Sequence, residues 1–273
     1  MTNEDLYNEL KEKALRIRRE IVNMIYMASS GHPGGALSLT DILTVLYFTE
    51  MRVDPLKPND ENRDRFVLSK GHASAALYAT LAERGFIDNE ELINFRKLDS
   101  ILQGHPDMNK VPGVDMTTGS LGQGLSAANG MAIAAKLDKK DYRVYVALGD
   151  GEIQEGQVWE AAMSSAHYKL DNLCVIVDNN NLQIDGAIDK VMSPYPLKEK
   201  FESFGFHTIE IDGHDYKQII ESFEEAKKVK DKPTAIIAKT IKGKGVSYME
   251  NQASWHGKAP NENELTIAMQ DLI

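Results

Sequence analysis

Val144-Tyr-Val-Ala-Leu-Gly-Asp-Gly151 and Leu173-Cys-Val-Ile-Val-Asp-Asn-Asn180 are the two stretches on which the reading of this chain turns. Each opens on an uninterrupted apolar run without polar alternation, the pattern of a strand covered on both faces of a parallel sheet. Between them, Trp159, Ala162, Met163 and Ala166 are expected to mark one face of a helix. Strand, helix and strand at this spacing make a βαβ unit, hence an α/β fold with a parallel sheet flanked by helices. Consecutive parallel strands joined by one helix bring their C-terminal ends side by side, and ligands of open α/β sheets bind at that edge. Asp150 lies at one end and Asn180 at the next. A carboxylate, an amide oxygen and a nearby backbone carbonyl form an all-oxygen donor set that suits Mg²⁺, or Ca²⁺, rather than zinc. A helix expected to begin after Gly151 would aim its N–H groups at the same place. The residues by themselves predict a metal-bridged diphosphate site, although Gly149-Asp150-Gly151 alone would also suit a tight strand-to-helix turn.

Working outward, the N-terminal segment reads as a long amphipathic helix, with Leu6, Leu10, Ala14, Ile17, Ile21 and Met24 at three- and four-residue steps. The breakers in Ser29-Ser-Gly-His-Pro-Gly-Gly35 end it in a loop. Ser38 and Asp41 stand in capping-box spacing and predict the start of a second helix. Arg65–Leu68 is a short strand candidate, followed by an Ala-rich helix from Ala73 to about Ala82. Thr117-Thr-Gly-Ser-Leu-Gly-Gln-Gly124 is a glycine-rich loop leading into a small-residue helix through Ala135. Further strands are expected at His207–Ile211 and Thr234–Ile241, around a charged helix at Tyr216–Lys228. Asn261 and Glu264 form a second capping-box pair ahead of a short helix, Leu265–Ile273. With no repeat, low-complexity tract or linker, residues 1–273 are read as one domain.

The 273 residues carry 31 Lys+Arg against 41 Asp+Glu, a net charge of −10, which argues against a chain built to grip a nucleic-acid backbone. The single cysteine, Cys174, excludes an intramolecular disulfide and a cysteine-built zinc site. An acidic N-terminus without a basic region and apolar run gives no signal peptide, and no apolar stretch approaches a membrane span. The expectation is a cytoplasmic protein that binds neither nucleic acid nor membrane.

The spacing from Gly149-Asp150-Gly151 through a helix and a buried strand to Asn180 resembles the thiamine diphosphate motif. Gly149-Asp-Gly-Glu-Ile-Gln-Glu-Gly-Gln-Val-Trp-Glu-Ala161 is similar to the transketolase version of it. So are Ser30-Gly-His-Pro-Gly34, Leu68-Ser-Lys-Gly-His-Ala73, Gly104-His-Pro106, Thr118-Gly-Ser-Leu-Gly-Gln-Gly124, Asn180-Asn-Leu-Gln-Ile-Asp-Gly186, Thr240-Ile-Lys-Gly-Lys-Gly245 and Trp255-His-Gly257. The chain is therefore identified as a member of the transketolase family over essentially its whole length. The resemblance implies the diphosphate-binding fold of that family, with thiamine diphosphate and Mg²⁺ (or Ca²⁺) as cofactors and a role in pentose-phosphate metabolism. It implies metal ligation by Asp150, Asn180 and the Leu182 carbonyl. Cofactor contacts would come from His72, Thr118, Gly119, Ser120, Leu121, Gly149, Gly151, Glu152, Ile184 and His256.

Seven histidines occur, and a metal cluster is a poor reading because none pair at i, i+4 on a helix. Neutral imidazoles around sugar hydroxyls suit them better, since they exchange protons near neutral pH. By resemblance His32 and His256 would meet substrate hydroxyls and His105 the donor's hydroxymethyl end; His167, His207 and His214 match no such position. Glu155 and Glu160 resemble interface carboxylates in a relay between active sites. Lys242 and Lys244 read equally as a phosphate screen or a solvated pair.

The family's pyrimidine-binding and C-terminal domains have no counterpart in this sequence. The expectation is the N-terminal subunit of a split transketolase, acting on sugar phosphates with a C-terminal partner subunit in an α₂β₂ heterotetramer. The rivals are a deoxyxylulose-phosphate synthase, part of a 2-oxoacid dehydrogenase, a split transketolase for an unusual sulfo- or branched sugar, and a non-catalytic regulatory phosphate-binding module. A Rossmann dinucleotide domain is weaker, because Gly119, Gly122 and Gly124 are spaced in the reverse order for it.

Overall fold

The structure, a computed structural model, describes residues 2–273. Helices α1 (Asn3–Ala28) and α2 (Pro33–Val45, extended by a π turn at Leu46–Glu50) lead into strand β1 (Arg65–Leu68) and helix α3 (Ser74–Arg84). Then come α4 (Gly124–Leu137), β2 (Val144–Gly149), α5 (Gly156–His167) and β3 (Leu173–Asn179). A small hairpin of β4 (Leu182–Gln183) and β5 (Gly186–Ala187) precedes α6 (Ile188–Val191), α7 (Leu197–Ser203) and β6 (His207–Asp212). The chain finishes through α8 (Tyr216–Lys228), β7 (Thr234–Lys239) and α9 (Glu262–Asp271).

The strands form a five-stranded sheet in the order β1-β2-β3-β7-β6, parallel at every pairing. The uninterrupted runs behave as buried parallel strands must, with alternate residues facing opposite helix layers. Tyr145, Ala147, Cys174, Ile176, Ile236 and Ala238 pack under α1, α2, α3 and α8. Val144, Val146, Leu148, Val175, Val177, Ala235 and Ile237 pack under α4, α5 and α7. No helix among the described residues is long and apolar enough to cross a membrane.

Three local expectations are corrected. The second helix begins at Pro33, not near Ser38, because proline is well placed at a first helical position where its missing N–H costs nothing. Every residue of α2 is buried, so Ser38 and Asp41 lie mid-helix and bond to distant partners instead of capping it. The segment after Gly151 is a single 3₁₀ turn, Glu152–Gln154, and α5 starts only at Gly156. The buried face of α5 is Val158, Ala161, Ala162 and Ser165, while Met163 is 62% exposed. The capping box of Asn261 and Glu264 forms as expected and opens α9.

Candidate active site

Gly149 pairs with Asp178 across β2 and β3, so the loops that leave both strands start level with each other. Asp150 is 2% exposed at the first of these ends. Its Oδ1 accepts from the Gly151 N–H at 2.8 Å and its Oδ2 from the Asn181 N–H at 2.6 Å. Burial, and then the charge of Asp178, push its carboxyl up to about 7. Asn180 is also buried; its Oδ1 accepts from the Leu182 N–H at 3.2 Å. The Leu182 carbonyl accepts from Lys242 Nζ at 3.1 Å. Asp150, Asn180 and Leu182 thus line one cleft of about 230 Å³, with His72, Leu121, Gly149, Gly151, Glu152, Ile184 and His256.

Two ammonium groups enter this cleft. Lys242 is 2% exposed, and its Nζ also lies 3.0 Å from His256 Nδ1. Burial and the charge of Lys70 bring it down to about 8. Lys244, by contrast, is partly exposed and pairs with Glu250 at 3.4 Å, so the two lysines do not form a solvated pair. Lys70 donates to the Gly35 carbonyl at 2.7 Å and to Asp178. Asp178 is fully buried and also accepts from Ser38 and Thr240. Burial opposes its ionisation, but Lys70 and these donors hold its carboxyl below the usual range. Lys70 and Asp178 were not legible as site residues; the Ser-Lys-Gly-His stretch was the available signal.

The histidines divide in the same concrete way. His32, His72 and His256 form a triangle with ring centroids 5.2, 5.2 and 5.3 Å apart. Burial, then Arg96, lowers His32 to about 4; burial, then Lys242, lowers His256 to about 3. His72 falls well below its ordinary value through burial and the charge of Lys70. His105 is exposed at the rim, lowered by burial and by Arg96, and packs beside Gly119, where a Cβ would stand 3.2 Å from its ring. His207 pairs with Glu225, and His214 donates from Nδ1 to Asp41 at 2.7 Å, both away from the cleft.

The glycine-rich loop is split by the geometry. Leu121 reaches the cleft, whereas Thr118, Gly119 and Ser120 line an adjoining depression of about 240 Å³. Thr118 Oγ1 and Gln183 Nε2 are buried without any hydrogen-bond partner. Gly71 is required beneath this loop, because a Cβ there would lie 2.7 Å from Thr118 Oγ1 and 2.8 Å from the Gly119 nitrogen. Glu152 has both oxygens engaged, accepting from Ser69 and from the Gly122 and Gly149 N–H groups, so it ties three loops together. Glu155 and Glu160 are exposed; Glu155 also lines the mouth of the cleft, whereas Glu160 does not line it. A wider, more open depression of about 490 Å³ at the ends of β6 and β7 holds His214 and Lys244 but none of the expected cofactor contacts.

Residues 10–272 match the family model described as the thiamine diphosphate binding domain of transketolase. The chain is 46% identical over 255 residues to one subunit of the apulose-4-phosphate transketolase of Phocaeicola vulgatus, covering 93% of this chain and 90% of that one. It is 42% identical to one subunit of a 6-deoxy-6-sulfo-D-fructose transketolase from a Clostridium species, covering 97% of this chain and 96% of that one. The solved transketolase of Campylobacter jejuni superposes with a TM-score of 0.91 at 40% identity, over 96% of this chain and 42% of that larger one. The chain belongs to the transketolase family, as the thiamine-diphosphate-binding part that forms a separate subunit in relatives of its own length.

Proposed function

We propose that this chain is the N-terminal subunit of a split transketolase, working in the cytoplasm on sugar phosphates with a separate C-terminal subunit. The observation that carries this reading is the meeting of Asp150, Asn180, Lys242 and the histidine triangle at one sheet edge. The residues present fit a divalent cation. Asp150 is a buried carboxylate whose proton is held up to about 7, and a dication beside it would reverse that balance. Asn180 Oδ1 and the Leu182 carbonyl would complete the protein's share of the ligands, with Mg²⁺ preferred over Ca²⁺ where phosphate oxygens and water fill the rest.

Thiamine diphosphate, when bound, supplies the carbanion stabilisation that ketol transfer demands. The chain's own residues bind, orient and handle protons. Lys242 and the backbone at Gly149 and Gly151 would hold the diphosphate, beside His72. Leu121 and Ile184 offer apolar contact at the mouth, and the unpartnered Thr118 hydroxyl and Ser120 offer polar contact along the loop. His32, His105 and His256, kept neutral at pH 7, would bind sugar hydroxyls and pass protons. Glu155, exposed beside the cleft, and Glu160, exposed on α5, would meet a neighbouring chain within an α₂β₂ assembly.

Mixing the chain with its partner subunit, thiamine diphosphate and Mg²⁺ tests this. Transfer of a two-carbon ketol unit from a ketose phosphate to an aldose phosphate by the mixture, and none by this chain alone, is the expected result. A mixture that binds the cofactor yet transfers nothing would defeat it. A specialised sugar is the second reading, favoured because relatives of the same length are named for apulose-4-phosphate and sulfofructose. A panel of donor sugars separates the two.

A further inference from the structure

Arg96 sits in an unusual position. Its backbone adopts a left-handed conformation, φ 61°, that is uncommon for a bulky residue and here belongs to a tight turn. Its amide donates to the Leu102 carbonyl at 2.8 Å, which closes the turn, and its guanidinium lies across Gly104. A Cβ on Gly104 would stand 2.9 Å from the guanidinium carbon, so the glycine makes room for this side chain. Among the described residues no carboxylate forms an ion pair with Arg96. Its Nη1 donates to Ser30 Oγ at 3.1 Å and its Nη2 lies 3.5 Å from His32 Nδ1, while Nε is buried without a partner. The groups that face His32 are therefore Arg96, His105 and Lys242, with the rings of His72 and His256.

A guanidinium has five N–H donors, no acceptor, and does not lose its proton. An imidazole nitrogen facing it can only accept. The proton of a neutral His32 is then confined to Nε2, because a proton on Nδ1 would oppose an N–H donor. The Cδ2–Nε2 edge of His32 faces Gly257, where a side chain's Cβ would stand 3.5 Å away, so glycine leaves no side chain over that edge. His256 has the same arrangement, with the Lys242 ammonium 3.0 Å from its Nδ1. His214 has the opposite one: its Nδ1 donates to Asp41, and its Nε2 accepts from the Ile241 N–H at 2.9 Å.

The geometry points to Arg96 as a positioning residue that holds His32 in the Nε2–H tautomer, so that this imidazole donates a hydrogen bond to a sugar oxygen. The inference deepens the ketol-transfer reading and rests on it for the identity of the sugar. Arg96 itself touches no substrate in this account. It acts through His32, as an outer hydrogen-bond partner fixes the tautomer of a working histidine.

The test is nitrogen NMR on the full chain labelled with ¹⁵N-histidine at pH 7, with His32→Gln to assign the signal. The expected result is a protonated Nε2 and bare Nδ1 for His32, and the reverse for His214, which serves as the internal reference. In Arg96→Met both His32 tautomers become populated, and Arg96→Lys, which still only donates, restores the single form. In the assembled enzyme Arg96→Met lowers kcat/KM by about 10–100-fold, and Arg96→Lys recovers most of the loss. A wild-type His32 carrying its proton on Nδ1 overturns the inference, as does an unchanged tautomer in Arg96→Met. The tautomer is read without substrate or partner. A mixture of the chain with its partner subunit that binds the cofactor and transfers no ketol unit would defeat the functional reading and leave the NMR result standing.

Discussion

Lys70 and Asp178, 108 residues apart in sequence, form a buried ion pair at the floor of the candidate active site, with Lys70 2% exposed and Asp178 not at all. The pair joins the loop after β1 to the end of β3 and is shared with α2 through Ser38 and the Gly35 carbonyl. A buried pair is a weak source of net stability, but removing one member leaves an uncompensated charge. Lys70→Met should therefore destabilise the chain by about 3–5 kcal/mol in urea unfolding. A loss below about 1 kcal/mol, the range of exposed pairs, would show that water reaches Asp178.

The histidine triangle predicts a direction for acid sensitivity. His32 and His256 have folded values of about 4 and about 3, below the ordinary 6.5 that holds in the unfolded chain. The unfolded state thus takes up protons first as pH falls. Stability is present in full above about 6.5 and is lost progressively as pH drops towards 4 and 3. His32→Gln and His256→Gln should each flatten this slope between pH 7.5 and 5 in urea titrations. A slope as steep as the parent's in both variants would refute the assignment.

Asp150 titrates the other way. Its folded value, about 7, exceeds the ordinary carboxylate value, so ionisation disfavours the folded state and stability is lost as pH rises through 7. Asp150→Asn should raise the melting temperature of the cofactor-free chain at pH 8, with little difference near pH 4. The parent should be stabilised by Mg²⁺ with thiamine diphosphate, following ligand linkage, and the variant should not. Undiminished cofactor binding by the variant would remove Asp150 from the metal site.

The glycine-rich loop rests on a bare backbone. Gly71→Ala would place a methyl group 2.7 Å from Thr118 Oγ1 and 2.8 Å from the Gly119 nitrogen, displacing the loop and not the sheet. The expected outcome is weaker thiamine diphosphate binding by isothermal titration, with the far-UV circular dichroism unchanged. Parent-like affinity would place the cofactor away from Thr118.

Much of this was legible because short-range pattern and long-range structure agreed. The apolar runs at Val144 and Leu173 became the central strands, and their ends brought Asp150 and Asn180 to one edge. The motif histidines His32, His72 and His256 came together because each follows a loop at that same edge. What failed did so where tertiary partners override local signals. Ser38 and Asp41 look like a helix cap, but α2 is buried on all sides, so their polar atoms must be satisfied from elsewhere. Asp41 is met by Arg18, His214 and Tyr216, contacts spanning up to 175 residues that no local pattern announces. Lys242 could not be told from Lys244, because both flank one glycine and only the fold turns one inward.

The register of β2 against β3 has a consequence for how such enzymes diversify. Gly149 and Asp178 are paired in register, so the strand ends from which the chain runs on to Asp150 and Asn180 stand about 4.8 Å apart, the spacing of neighbouring strands. A slip of one residue in either strand would exchange the two faces of the strand that moved. The paired strand ends are therefore hard to shift, whereas His105 and Arg96 ride on irregular chain that tolerates insertion. Sequence change can redraw that rim while the register of the strand ends is inherited unaltered.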